Sequence, residues 1–222
     1  MTRGRPYWAP VSALHVFDMD GTLLEGTSAS LQIARHRGTV SELAGLEAQF
    51  TAGAIDSRDF AAAIHELWRD LTPAAVADAF AASPWLTGIP AVCADIRARG
   101  GRSAVITMSP DFFARHLLEL GFDDVVASRF PALPFREPLD PAGILTPADK
   151  VRIVASLCQR HGLGRSRCVA YGDSMSDVPL FRHLAKTVAV NADHHLAELA
   201  AVSYRGRDLA GAYALGRALL TR

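Results

Sequence analysis

The sequence predicts an α/β fold: a parallel sheet with helices on both faces, plus a small helical segment inserted after the first strand. Three short apolar runs each end in a polar loop, and helical spacing follows the second and third runs. Repeated strand-loop-helix units are typical of parallel sheets, because each crossover helix packs on a face of the sheet. A long stretch with helical spacing alone separates the first run from the second.

The three apolar runs are the predicted strands. They span Ala13 to Phe17, Ser103 to Ile106 and Cys168 to Tyr171. The loops that follow them are rich in Asp, Thr, Ser and Gly residues. Ligands of such sheets bind beyond the carboxyl ends of the strands, so we expect these three loops to form the functional site.

The stretch between the first two strands is alanine-rich and has helical periodicity. Thr72 and Pro73 fit the N-cap and the first position of one of its helices. We therefore predict a helical cap domain over residues 26–89 and a core domain formed by residues 1–25 and 90–222.

The composition is that of a folded protein with a substantial core. Half of the 222 residues are hydrophobic and 21% are charged, which fits one globular domain or a domain with an insert. Acidic and basic residues balance to a formal net charge of zero, so the positive field of a nucleic-acid or anionic-membrane binder is missing. No apolar stretch is long enough to span a bilayer. We expect neither nucleic acid nor a membrane as a partner.

The cysteines and the N-terminus predict a cytoplasmic location. Cys93, Cys158 and Cys168 are odd in number, and their spacing suggests neither a disulfide framework nor a zinc knuckle. The first ten residues, MTRGRPYWAP, are interrupted by prolines and lack the continuous apolar stretch of a signal peptide. A reducing compartment fits these features.

The loop after the first strand carries two carboxylates. In the segment FDMDGT, Asp18 and Asp20 stand on alternate residues, and Gly21 permits a tight turn. Two close anions need a cation, and a hard divalent ion such as Mg²⁺ takes oxygen ligands. The alternative is a solvated acidic turn without a ligand.

The other strand ends carry further polar residues. In GDSMSD, Asp173 could complete a metal shell, whereas Asp177 could instead cap the following helix. Thr107 and Ser109 could receive phosphate oxygens or act as ordinary N-caps. Lys150 lies just inside a predicted helix, and a lysine there is usually a solvated surface residue.

Taken together and in this order, the motifs resemble those of the haloacid dehalogenase superfamily. FDMDGT looks like its first motif, VITMSP like its second, Lys150 like its third and GDSMSD like its fourth. The helical insert matches the cap position of the phosphoserine phosphatase-like branch. The resemblance implies a Rossmann-like core and a phosphatase that hydrolyses a small organic phosphomonoester.

The resemblance also implies roles for individual residues. Asp18 would be the nucleophile that forms an aspartyl phosphate, and Asp20 would protonate the leaving alcohol and then deprotonate the attacking water. Thr107, Met108 and Lys150 would bind the transferring phosphoryl group. An Asp at the position of Asp20 favours a phosphatase over a dehalogenase, because a departing halide needs no proton.

Magnesium is the cofactor that the resemblance implies. Asp18, the backbone carbonyl of Asp20 and Asp173 would hold the ion, and Asp177 would support them directly or through water.

Two departures from the phosphoserine phosphatase pattern concern the substrate. Met108 and Ser109 stand where that branch usually has two glycines, and Thr27 and Ala62 stand where it has a glutamate and an arginine that grip serine. We therefore predict that phosphoserine is a poor substrate. Three charged residues could take over the grip if the cap helices are shifted in register: Glu25, Arg58 and Arg69.

Several alternatives stay open at the level of sequence. The same aspartyl phosphate could be transferred to an alcohol instead of water, or the fold could sense a phosphorylated ligand without catalysis. The pair His194-His195 fits an exposed helix start better than a metal site, because adjacent helical residues face different ways. The aromatic residues in or beside the insert could pack in its core, which is the default expectation, or line a substrate pocket: Phe60, Trp68 and Trp85.

Overall fold

The structure is a computed structural model that describes residues 11–221. The first ten residues, on which the prediction that no signal peptide is present rests, lie outside the described residues, as does residue 222.

A single sheet of six parallel strands organises the fold. In chain order the strands are β1 (Leu14–Phe17), β2 (Arg102–Pro110), β3 (Asp124–Ser128), β4 (Cys168–Gly172), β5 (Thr187–Val190) and β6 (Val202–Tyr204). Their order in the sheet is β3-β2-β1-β4-β5-β6, and every neighbouring pair is parallel. Phe17 at the end of β1 lies opposite Val105 of β2 and Tyr171 of β4. The loops that follow these three strands therefore meet at one edge of the sheet.

Ten α-helices are found in the described part of the chain. They are α1 (Ala29–Arg37), α2 (Val40–Thr51), α3 (Ser57–Leu67), α4 (Pro73–Ala81), α5 (Ile89–Ala98), α6 (Asp111–Ala114), α7 (Pro147–Arg160), α8 (Val178–His183), α9 (His194–Leu199) and α10 (Leu209–Leu220). Short 3₁₀ segments span Arg115–Leu118, Pro141–Gly143, Arg165–Arg167 and Met175–Asp177. None of these helices combines the length and apolar character that a membrane span needs.

Both faces of the sheet are covered by helices, as predicted. Alternate residues of a strand point to opposite faces, and β1 shows this: Val16 packs in one buried cluster and Phe17 in the other. The Val16 cluster includes apolar side chains of α7, α8 and α9, whereas the Phe17 cluster includes those of α5 and α10. The predicted α/β class with a Rossmann-like parallel sheet is confirmed.

The stretch from α1 to α4 is helical, also as predicted. Thr72 caps α4, since its hydroxyl accepts a hydrogen bond from the Ala75 N–H at 3.2 Å, and Pro73 occupies the first turn. The polypeptide enters and leaves this stretch along two adjacent connections. The Glu25 N–H donates to the Pro84 carbonyl, and the Leu86 N–H donates to the Leu23 carbonyl, both at 2.9 Å.

Candidate active site

Asp18 stands at the carboxyl end of β1, in the centre of the sheet. Its N–H donates to the Tyr171 carbonyl of β4 at 2.9 Å, so the backbone of β1 stays tied to its neighbour up to this residue. The side chain is only 7% exposed. The alternative of a solvated acidic turn is therefore wrong for Asp18.

Lys150 reaches this carboxylate from the first turns of α7. The Asp149 carboxylate accepts from the Thr146 N–H at 2.7 Å, which fixes the start of the helix and the direction of the neighbouring side chain. The Lys150 ammonium lies 2.9 Å from Asp18 and 2.7 Å from Asp177. At 1% exposure, Lys150 is not the solvated surface lysine that its residue type alone favours.

The loop after β4 contributes two more carboxylates. Asp177 accepts a hydrogen bond from the Asp173 N–H at 3.0 Å as well as binding Lys150, so its side chain organises the loop and makes no capping bond to α8. Asp173 accepts from the Thr22 hydroxyl at 3.2 Å. A Cβ on Gly21 would lie 2.0 Å from the Asp173 carboxylate, so only glycine permits this approach of the two loops.

Three carboxylates (Asp18, Asp173 and Asp177) and one ammonium (Lys150) lie close together, and the pKa values of these groups reflect the excess of negative charge. Burial raises the pKa of Asp18 well above its usual value, with Asp177 raising it further and Lys150 lowering it. Burial, together with Asp177, raises the pKa of Asp173 to about 7. Burial disfavours the charged form of Lys150, but Asp18 and Asp177 raise its pKa above its usual value.

The donor set fits a hard divalent cation. Carboxylate oxygens of Asp18, Asp173 and Asp177 all lie within 4.8 Å of one another. Carboxylate oxygen is the ligand type that Mg²⁺ takes in proteins, and a divalent charge would offset the excess of anions. The residues present are thus suited to such an ion.

Asp20 points to a different part of the site. One of its carboxylate oxygens accepts from the Ala29 N–H at 2.7 Å, at the start of α1, and the other accepts from the Ser109 hydroxyl at 2.5 Å. Burial raises the pKa of Asp20, while these two hydrogen bonds and the charge of Lys150 lower it. Both oxygens are thereby held in one orientation by contacts outside the Asp18, Asp173 and Asp177 cluster.

The end of β2 completes the site. Thr107 is buried within β2 and is not an N-cap, since α6 begins only at Asp111 after Pro110. Its hydroxyl accepts from the Ser109 N–H at 3.0 Å. The Met108 carbonyl accepts from the Ser128 hydroxyl at 2.7 Å, which fixes the end of β2 against β3. Sequence reasoning missed this role of Ser128.

Two adjoining cavities meet at Asp20. One, of about 400 Å³, is lined by Asp18, Asp173 and Thr107, and we call it the reaction cavity. The other, of about 360 Å³, lies between α2, α3 and the end of β2 and is lined mainly by apolar side chains; we call it the insert cavity. Four residues line both cavities: Asp20, Ser28, Phe50 and Met108.

The sequence motifs and the geometry agree with a match to a known family. The model of the haloacid dehalogenase-like hydrolases matches residues 15–182, which is more than half of the chain. The chain belongs to this family.

Solved structures of haloacid dehalogenase-like hydrolases share the fold. A HAD family hydrolase from Salmonella enterica serovar Typhi has a TM-score of 0.80 at 20% identity, over 94% of this chain and 73% of that one. A substrate-bound phosphoserine phosphatase has a TM-score of 0.75 at 23% identity, over 90% and 96%. A probable phosphoserine phosphatase from Vibrio cholerae has a TM-score of 0.78 at 21% identity, over 94% and 65%.

Curated relatives match a shorter part. Phosphoserine phosphatase SerB1 of Mycobacterium tuberculosis is 44% identical over 57 residues, which are 26% of this chain and 18% of that protein. A putative hydrolase of Mycobacterium leprae is 45% identical over 51 residues, which are 23% and 17%. The aligned part is thus less than a fifth of the length of either relative.

The residues that could replace the serine grip of the phosphoserine phosphatase-like branch lie elsewhere. Glu25 pairs with Arg207 and Arg69 pairs with Glu66, while Arg58 is exposed. In the part of the chain that the structure describes, no arginine, lysine or histidine lines either cavity.

The two positions aligned with that grip differ in their surroundings. Thr27 lines the reaction cavity, and its hydroxyl accepts from the Gln32 side chain at 2.8 Å. Ala62 is exposed, and its neighbour Ala61 faces the insert cavity instead. Neither Ala61 nor Ala62 carries a charge that could grip a charged substrate group.

Two other sequence predictions are resolved by the structure. His194 and His195 are exposed at the start of α9, as expected, and Asp193 caps that helix. Trp68 is fully buried in the core. Phe60 packs against the core and also lines the insert cavity, so it combines the two alternatives expected for the aromatic residues of the insert.

Proposed function

We propose that the chain is a magnesium-dependent phosphatase that hydrolyses a small organic phosphomonoester through an aspartyl phosphate on Asp18. The observation that carries the proposal is that two carboxylates of one loop, Asp18 and Asp20, occupy different positions in the site. Asp18 lies among charged groups in the reaction cavity, and Asp20 lies where the two cavities meet.

Asp18 is suited to be the nucleophile. The carboxylate must be ionised to attack phosphorus, and the Lys150 ammonium at 2.9 Å stabilises the ionised form against the cost of burial. Attack forms a bond from an Asp18 oxygen to phosphorus, and the bond from phosphorus to the alcohol oxygen breaks. Thr107 and Met108 line the cavity in which the phosphoryl oxygens would lie, and the Thr107 hydroxyl stabilises their charge. Lys150, 2.9 Å from Asp18, stabilises the charge that Asp18 and the phosphoryl group share.

Asp20 is suited to supply and later remove a proton. Its raised pKa favours the protonated form that the departing alcohol oxygen requires. Once ionised, the same carboxylate can take a proton from the water that attacks the aspartyl phosphate. Ser109 and the Ala29 N–H hold it in place for both steps.

Asp18, the backbone carbonyl of Asp20 and Asp173 would hold magnesium, with Asp177 in support. When bound, the ion would offset the negative charge that Asp18 and the phosphate bring together.

The proposal also covers the domain boundaries, the cellular location and the substrate. We propose a core domain of residues 1–25 and 90–222 and a cap domain of residues 26–89, supported by the adjacent connections at both ends of the cap. The three free cysteines support a reducing, cytoplasmic compartment. The lack of basic side chains in the described cavity linings supports the prediction that phosphoserine is a poor substrate.

Phosphate release from a panel of phosphomonoesters, with magnesium or with a chelator, tests the proposal. We expect release that needs the metal and falls by at least about a thousandfold in Asp18→Asn, since a nucleophile cannot be replaced by an amide. Asp78→Asn is the matched control, because Asp78 is exposed on α4.

Two results would contradict hydrolysis by Asp18. Phosphate release that persists in Asp18→Asn would contradict an aspartyl phosphate on Asp18. Absence of release from every ester, with phosphate transfer to an added alcohol, would instead identify a phosphotransferase; ester binding without turnover would identify a ligand sensor.

A further inference from the structure

The insert cavity is large enough for the alcohol part of a substrate and shares four lining residues with the reaction cavity. Its volume of about 360 Å³ falls in the range of small-molecule sites. Asp20 borders both cavities, so an ester bound with its phosphate near Asp18 would extend its alcohol past Asp20 into the insert cavity.

The lining of the insert cavity is aromatic and aliphatic. Phe50 of α2 and Phe60 of α3 lie with their ring centroids 5.5 Å apart, and both face the cavity together with Phe130. Ile64 and Ile144 add aliphatic surface. Such a surface gains free energy by taking apolar groups out of water.

The charged side chains in the described lining of the insert cavity are all acidic. Apart from Asp20, the charged side chain in its described lining is Glu47 of α2, one helical turn before Phe50 and Thr51. Glu47 is partly buried and has no ion-pair partner within residues 11–221. Its charge therefore acts on whatever occupies the cavity.

Resting on the function proposed above, we propose that the substrate is the phosphate ester of an apolar alcohol that carries no negative charge, and that Glu47 excludes anionic alcohols. A carboxylate or second phosphate on the alcohol would enter a cavity with Glu47 and without a described cation. An ammonium group would instead be attracted by Glu47 and by the faces of the neighbouring aromatic rings.

Three esters of equal length separate these cases: hexyl phosphate, 6-aminohexyl phosphate and 6-phosphooxyhexanoate. For the native chain with magnesium, we expect kcat/KM to be at least about tenfold lower for the carboxylate ester than for hexyl phosphate. Glu47→Gln should raise kcat/KM for the carboxylate ester and lower it for the amino ester, each by about fivefold, the size of one partly screened charge interaction. Hexyl phosphate should be unaffected.

Glu42→Gln is the matched control, because Glu42 is an exposed glutamate on the same helix. It should change none of the three values. Equal effects of Glu47→Gln on all three esters would overturn the role of Glu47, and preference for the carboxylate ester would overturn the substrate class.

Binding of the same esters to Asp18→Asn separates this inference from the proposed function. If no ester is hydrolysed, the function proposed above fails. The order of dissociation constants, measured by calorimetry, then still decides the ligand class: weakest binding by the carboxylate ester supports it, and equal or tighter binding overturns it.

Discussion

The two cavities that meet at Asp20 are built in opposite ways. The reaction cavity is formed by strand ends, and its carboxylates are held by an ammonium, a hydroxyl and backbone N–H groups within about 3 Å. The insert cavity is formed largely by helices of the insert, and its lining is mainly apolar with an exposed Phe50 at its edge. The difference indicates that chemistry is fixed by directional contacts to the sheet, whereas selectivity depends on how separate helices pack.

The largest effect is expected from removing the ammonium group that binds Asp18 beside the reaction cavity. Lys150→Met would leave Asp18 and Asp177 facing each other in a buried site, which should destabilise the fold by about 3–5 kcal/mol. Phosphate release should fall by at least about a thousandfold. Denaturant unfolding and single-turnover release measure the two effects. Lys186→Met, directly before β5 and outside both cavity linings, should keep full activity. A Lys150→Met enzyme with full activity would contradict the role given to directional contacts in the reaction cavity.

The next effect concerns the residue between the cavities. Asp20→Asn should lower kcat for alkyl phosphates by about 10²–10⁴-fold, because the alkoxide then leaves without a proton. With p-nitrophenyl phosphate, whose leaving group departs without protonation, formation of the aspartyl phosphate should be nearly unchanged. The burst of p-nitrophenol measures that step, and an equal loss for both ester types would argue against proton donation by Asp20.

A smaller effect should follow from disturbing one contact in the reaction cavity. Gly21→Ala would push the Asp173 carboxylate away, and the magnesium concentration for half-maximal activity should rise about 10- to 100-fold. Gly38→Ala is the matched control: it has a similar positive φ of 74°, but a Cβ there would contact nothing within 4 Å. Both variants bear the same strain of about 1–2 kcal/mol, so an equal magnesium shift in both would exclude a specific role for Gly21.

The smallest effect is expected in the insert cavity. Phe60→Ala should raise KM for hexyl phosphate about tenfold, equal to about 1.4 kcal/mol of lost binding. Inhibition by inorganic phosphate should be unchanged, because phosphate alone does not reach Phe60. Steady-state kinetics with phosphate as competitor give both constants, and weaker inhibition in the variant would show that the cavities are not independent.

Much of the reaction cavity could be predicted from sequence, because each of its residues follows an apolar strand or begins a helix. Asp18 and Asp173 stand directly after strands that apolar runs reveal, and Thr107 directly follows the apolar run Ser103 to Ile106. Lys150 is placed by the capping residues Thr146 and Asp149. Local patterns suffice here, since the sheet aligns the strand ends without further information.

The remaining strands and the insert cavity were not predictable in this way. β3 and β6 are edge strands with partly exposed side chains, and β6 has three residues, so their alternation is weak. β5 is fully buried, ends at Val190 and is followed by Asn191; this apolar run before a polar residue is a signal that could have found it. Phe50 and Glu47 lie on an amphipathic helix, and which of its side chains face a cavity depends on packing angles that no local pattern contains.

The paired connections at Leu23–Glu25 and Pro84–Leu86 have a further consequence. Because hydrogen bonds join these two connections, the intervening helices form a single long segment whose ends are already held together. Such a segment can change in length or be exchanged as one continuous piece while the strands keep their register. A chimaera that keeps the start of α1, and with it the Ala29 N–H that holds Asp20, but carries another insert beyond it should therefore retain its phosphoryl chemistry and acquire a new preference for the alcohol.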